Sequence, residues 1–196
     1  MKDAHLRTAL KRDLQSHYAT DPDTVVIEEL GILHGRCRID VAVVNGRMHG
    51  YELKSDRDTL SRLPEQAQAY SAVFDCVTLV VGERHLRSAI ELVPDWWGVC
   101  LARFDSGTLS LRDLKLPLTN PAPDPMSVVR LLWRNEALCL LDLVGRARGA
   151  QSKPREWIYA ELVAAASRGY LADAVRQCLK NREGRRSDAT PRSCGD

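Results

Sequence analysis

The periods at which apolar residues recur mark out the elements of this chain. A helix is predicted over Ala4–His17 and a strand over Thr24–Leu30. The run Ile39–Val44 is rich in β-branched residues, Met48–Leu53 returns as its partner, and Asn45-Gly46 between them is the strongest short turn signal, so Cys37–Ser55 reads as a β-hairpin. A helix over Thr59–Phe74 follows, with the stripe Leu60, Leu63, Ala67, Tyr70 and Phe74 facing the sheet. Cys76–Val81 is almost continuously apolar, as expected of a central strand covered on both faces; reached through a helix, it should lie parallel to a hairpin strand. A helix (Leu86–Leu92), a strand (Val99–Phe104) and, after a Ser106-Gly107 turn, a short edge strand (Leu109–Leu111) complete this part. The prediction is an α/β fold, a mixed sheet flanked by helices, over residues 1–116.

Four prolines in the nine residues Pro117–Pro125 exclude helix and central strand and read as a linker. Beyond it a small all-helical appendage is predicted over residues 126–183. Asp124-Pro125 caps a helix from Met126 to Val144 that Gly145 ends, a second runs from Ser152 to Ser167, and a third covers Asp173–Arg182. Residues 184–196 are polar and read as a disordered tail.

The hairpin carries the candidate chemistry: Asp40 on one strand, Glu52 and Lys54 on the other. A two-residue turn at Asn45-Gly46 would put Asp40 and Glu52 on opposite faces. A three-residue loop of Val44, Asn45 and a left-handed Gly46 would put them on one face as diagonal neighbours, joined by Lys54. Strands about 4.8 Å apart, with diagonal positions roughly 7 Å apart, let two such carboxylates meet around one cation with ligands at about 2.1 Å, which fits magnesium. Without a cation, one of the two acids should have a raised pKa. A bare pattern of this kind also describes an ordinary cross-strand ion pair.

The segment resembles the PD-(D/E)XK nuclease superfamily, through Asp40 and Glu52-Leu53-Lys54, and Gln66 to Tyr70 is similar to the Q-x-x-x-Y element of its RecB-like branch. The runs Gly50–Leu63 and Val77–His85 also look like a bacterial and phage family called sce7726. The resemblance covers residues 25–100. It implies a nuclease-like core in which Asp40, Glu52 and the Leu53 carbonyl hold Mg²⁺ (or Mn²⁺), Lys54 positions the attacking water, and Gln66 assists. Many members carry a further acid upstream; of Glu28 and Glu29 only one can face inward, and Glu29 is chosen because alternation groups it with Val25 and Ile27. The implied activity is metal-dependent hydrolysis of phosphodiesters in nucleic acid, DNA before RNA. The alternative is a catalytically silent protein that keeps this fold and binds nucleic acid or serves as a complex subunit. Protein partners in a defence or repair assembly suit either reading.

Composition changes this picture only at its edges. The chain has 196 residues, 44% hydrophobic and 28% charged, enough for one core and a small appendage. No stretch approaches the ~18 apolar residues of a membrane helix and the amino end lacks the apolar region of a secretion signal, so no membrane partner is expected and a cytoplasmic location is the default. Six cysteines without C-x-x-C spacing argue against a zinc site and a disulfide framework. Trp96-Trp97 reads as core closure rather than a base-stacking platform. Residues 1–125 hold 15 Lys and Arg against 18 Asp and Glu, whereas residues 126–196 hold 13 against 8, so the basic part is carboxyl-terminal. Arg148, Lys153 and Arg155 are its candidate phosphate contacts, with Tyr70 a candidate contact in the core. A solvated helical face would carry the same charges.

Overall fold

The structure is a computed structural model describing residues 2–105 and 108–182; the Ser106-Gly107 turn and the tail 184–196 lie outside the described residues. Helix α1 (Asp3–His17) is followed by β1 (Val25–Ile32), the hairpin strands β2 (Cys37–Val44) and β3 (Met48–Lys54), α2 (Leu63–Ser71), β4 (Cys76–Gly82), α3 (Leu86–Ile90), β5 (Gly98–Asp105) and β6 (Thr108–Lys115). Then come α4 (Pro125–Val129), α5 (Arg134–Leu143), α6 (Arg155–Ala165) and α7 (Arg168–Lys180). The strands form one six-stranded sheet in chain order. β1, β2 and β3 run antiparallel, β3, β4 and β5 are parallel through the α2 and α3 crossovers, and β6 returns antiparallel. This is the mixed α/β sheet with flanking helices that the pattern predicts.

Each face of the sheet has its own cover. Helix α1 lays Leu6, Leu10 and Leu14 on Val41, Val43, Leu53 and Val80. On the other face Leu63, Ala67, Tyr70 and Phe74 meet Ile39, Ala42 and Val44, and Val128, Leu132, Leu171, Val175 and Leu179 belong to the same cluster. β4 between the faces is buried at every position. The helices after residue 125 are therefore part of the main core rather than a separate appendage.

The proline-rich segment is correspondingly a strap and not a free linker. Buried Asn120 donates from Nδ2 to the carbonyls of Ser71 (2.7 Å) and Phe74 (2.8 Å), and its amide donates to Asp75 O at 2.8 Å. The first belongs to the last residue of α2 and the other two to the segment that leads from it to β4. Leu118 N donates to Trp96 O at 2.8 Å and Asp124 N to Ala72 O at 2.9 Å.

Other boundaries differ for local reasons. α2 begins at Leu63 because Ser55 and Asp58 close a turn on each other (Ser55 N to Asp58 Oδ2, 2.6 Å) and Pro64 suits a first helical turn. β6 is longer than Leu109–Leu111 because backbone pairing with β5 continues through polar residues to Lys115. The helix expected over Met126–Val144 is two: Asp124 caps α4 through the amides of Met126 and Ser127, the chain turns, and Glu136 accepts from Trp133 N at 2.7 Å to start α5. Gly145, at φ 72°, ends α5 as expected. α7 starts at Arg168, ahead of Asp173, because the Ser167 hydroxyl accepts from Tyr170 N at 3.3 Å. Among the described residues no helix is long and apolar enough to cross a membrane.

Candidate active site

The hairpin pairs Val44 with Met48, Val43 with His49, Ala42 with Gly50 and Val41 with Tyr51, an even register. Its loop is Asn45, Gly46 and Arg47, one residue later than predicted, and Gly46 is not left-handed. Asn45 closes the reversal itself: its amide donates to Arg47 O at 3.0 Å and its Oδ1 accepts from Arg47 N at 3.2 Å. Continued by one step, the count puts Asp40 opposite Glu52 rather than diagonal to it, at the point where the β2–β3 ladder ends.

A kink shared by two strands opens this point further. Glu29 has φ 54° inside β1, and Glu29 and Asp40 are the one position at which the β1–β2 pairing is interrupted. Val41 and Val43 pack under α1, whereas Ile39 packs on the opposite face with Ala42, although strict alternation would group Ile39 with Val41. Both strands thus switch faces together at Glu29 and Asp40. Asp40 is freed from both ladders, and its side chain reaches Leu53 instead: Oδ2 accepts from Leu53 N at 2.8 Å. In an extended strand the carbonyl leaves on the same edge as the amide, so the Leu53 carbonyl shares the Asp40 side of β3.

The other acid is held from α2. Glu52 Oε1 accepts from Lys54 Nζ at 2.6 Å, and Tyr70 Oη lies 2.7 Å from Glu52 Oε2 and 2.8 Å from Arg38 O, donating to one at a time. Lys54 also donates to Gln66 Oε1 at 2.9 Å, and Gln66 Nε2 donates to Tyr70 Oη at 3.2 Å. An ammonium has three N–H donors, so Lys54 keeps one with no acceptor among the described residues. Asp40, Glu52, Leu53, Lys54 and Gln66 all line one cleft of about 1350 Å³.

Electrostatics follow from burial. Glu52 is 1% exposed, and desolvation, reinforced by the charge of Asp40, pushes its carboxyl up to about 7 despite Lys54 and Tyr70. Desolvation also raises Asp40, against the opposing effects of the Leu53 amide and Arg7. Burial and the neighbouring Glu52 raise the Tyr70 hydroxyl, so it serves as a neutral donor. Each acid has one cationic partner, Arg7 for Asp40 and Lys54 for Glu52, and desolvation still raises both; their carboxylate oxygens and the Leu53 carbonyl are the donor types a hard cation takes, and on that ground the residues fit Mg²⁺ or Mn²⁺.

Not every predicted site residue joins the cluster. Glu29 is turned into an ion-pair network by the kink, with Arg7 Nη1 at 2.7 Å and Arg38 Nε at 2.6 Å, and among the described residues no group of three or more His, Cys, Asp and Glu converges. Glu29 is therefore not a metal ligand in this arrangement. Tyr70 is fully buried and braces Glu52, so it cannot contact nucleic acid. Of the three basic candidates only Arg155 lines the cleft; Lys153 lies over the Trp157 ring at 5.6 Å, and exposed Arg148 lies outside the cleft lining. Much of the remaining carboxyl-terminal charge is structural: Arg130 pairs with Glu156, Arg176 with Asp75 and Asp173, Lys180 with Asp23, and Arg182 with Glu136. Trp97 is fully buried and stacked on Tyr70, as core closure requires.

Arg7 is the residue the sequence reading missed. From α1 it donates Nη2 to Asp40 Oδ1 (2.8 Å) and Nη1 to Asp40 O (3.0 Å) while pairing with Glu29. Its only advance signal was general: two buried acids on one hairpin need more positive charge than one lysine supplies.

A family model described as bacteriophage P4 protein cII matches residues 2–194 of the chain. The chain belongs to that family. Protein cII of Enterobacteria phage P4 is 31% identical over 90 residues, 46% of this chain and 33% of that protein. The match spans about a third of that cII protein's length, and the chemistry open to this cII-family chain follows from its own side chains.

Proposed function

We propose that this cII-family protein is a metal-dependent nuclease with a PD-(D/E)XK-like core, which hydrolyses phosphodiester bonds in nucleic acid, DNA before RNA. The observation that carries the reading is one buried juxtaposition. Two desolvated carboxylates stand at the mouth of a split hairpin, the charge of Asp40 raising the proton affinity of Glu52, beside a lysine with a spare donor, in a single cleft. Asp40, Glu52 and the Leu53 carbonyl would hold Mg²⁺ or Mn²⁺. When bound, such an ion lowers the pKa of water and stabilises charge developing on phosphate.

The protein's own groups do the positioning. Lys54, fixed by Glu52 and Gln66, directs its remaining N–H toward a nucleophilic water or a phosphate oxygen, a task for a compact cation. Arg7 and the Leu53 amide set the orientation of Asp40, and Tyr70 sets that of Glu52. These supports come from α1, α2 and β3, elements of the scaffold rather than loops, which suits a preorganised site.

The test is cleavage of single- and double-stranded DNA and of RNA with Mg²⁺ or Mn²⁺, comparing the wild type with Glu52→Ala and Lys54→Ala. Cleavage that needs the ion and falls at least about a hundredfold in both variants supports the reading; cleavage equal in all three proteins defeats it. A silent nucleic-acid-binding protein would show binding with neither cleavage nor metal uptake.

A further inference from the structure

The part of the cleft lining contributed by the helices after residue 125 carries a half-exposed aromatic. Trp133, in the turn between α4 and α5, is 46% exposed, lines the cleft, and has the Arg182 guanidinium over its ring at 4.3 Å from the centroid. Arg182 is itself locked, with Nε donating to Glu136 Oε1 at 2.7 Å, Nη2 to Glu136 Oε2, and Nη2 to Leu131 O at 2.9 Å. The indole is thus braced by a fixed cation and remains nearly half exposed in the cleft. Around the same cleft Arg36, Arg57, Arg62 and Arg155 are exposed and form no ion pair among the described residues; of the acids lining it, only Asp58 and Glu65 are likewise without one.

We infer that this wall binds single-stranded nucleic acid, with a base stacked on Trp133 and its phosphates held by Arg155 on one side of the cleft and Arg57 and Arg62 on the other. A stacked base must present a free face, which a strand offers and a continuous duplex does not. Unpaired guanidiniums supply the sequence-independent attraction to phosphate. The inference deepens the nuclease reading by naming the form of its substrate, and rests on that reading for the strand's passage over Asp40 and Glu52.

The experiment is fluorescence-anisotropy binding of the full chain in EDTA, where no cleavage occurs, with labelled oligo-dT, oligo-rU and a duplex of equal length. The expected result is single-strand binding at least about tenfold tighter than duplex, weakened about tenfold by Trp133→Ala and largely kept by Trp133→Phe. Arg155→Ala should weaken binding and flatten its salt dependence by about one ion. Oligo-dT against oligo-rU distinguishes DNA from RNA within the same inference. Duplex bound as tightly as single strand, or Trp133→Ala binding like the wild type, overturns it. Because metal is absent, that failure is distinct from failure of the nuclease reading, which the cleavage assay judges; thermal melts of both Trp133 variants exclude misfolding as the cause of a loss.

Discussion

Replacing Glu52 by Gln should change how stability depends on pH more than it changes the fold. Desolvation and Asp40 move the Glu52 carboxyl from 4.5 to about 7 in the folded protein. A folded pKa above the unfolded one means that the native state favours the protonated acid. The associated stability is complete below about pH 4.5 and is lost as pH rises through about 7. At 1.36 kcal/mol per unit, the wild type should forfeit about 3 kcal/mol across that window, undiminished by solvent because the side chain is 2% exposed. The Gln variant has no proton to lose at this position and should lack that component, while Asp40 titrates in both. Urea unfolding followed by circular dichroism in EDTA, at intervals from about pH 4 to 8, gives the two curves. They should diverge steadily above about pH 5, with Gln gaining on the wild type, and excess Mn²⁺ should return the lost stability to the wild type alone. Parallel curves would refute the claim that burial and Asp40 hold this carboxyl under strain.

Further consequences can be measured on the same protein. Arg7→Ala leaves Asp40 and Glu29 without their shared cation and should lower stability by about 1–3 kcal/mol at neutral pH, read as a shift in the urea midpoint. Asn120→Ala strips hydrogen bonds from the end of α2 and should cost about 2 kcal/mol; because the carboxyl-terminal helices share the main core, one cooperative transition should remain, and a separate early transition would show that they fold apart. Gly98→Ala places a methyl group 2.8 Å from Pro117 Cδ and 2.8 Å from Thr78 Oγ1, so calorimetry should show destabilisation of about 1–3 kcal/mol as the strap is pushed off β5.

Much of the fold was legible because its signals are local. Asn45-Gly46 announced the hairpin, the unbroken run Val77–Val81 announced a sheet centre, and the stripe from Leu60 to Phe74 announced the helix over the site. Of the two pairings the turn allowed, the even parity that puts Asp40 and Glu52 on one face is the one observed, although the loop lies one residue later and the acids are opposite rather than diagonal. What stayed hidden depends on backbone and distance. Assigning Glu29 to the site assumed unbroken alternation, and its left-handed φ of 54° switches the face of β1 where that assumption matters. Arg7 lies 33 residues from Asp40, and nothing in its neighbourhood marks it as the partner of a buried acid. The strap was read as a linker because proline composition reveals the absence of helix but not the carbonyls that Asn120 would find. The carboxyl-terminal charges misled similarly, since several of those arginines face acids elsewhere in the chain.

The proposed nuclease requires a divalent ion between Asp40 and Glu52. Anomalous diffraction at the manganese edge, from crystals soaked in Mn²⁺, tests it most directly. One peak is expected within about 2.1–2.3 Å of a carboxylate oxygen from each residue and of the Leu53 carbonyl, absent in Asp40→Asn. Saturating Mn²⁺ that leaves Glu52 still bonded to Lys54 and Tyr70, with no peak between the two acids, would contradict it.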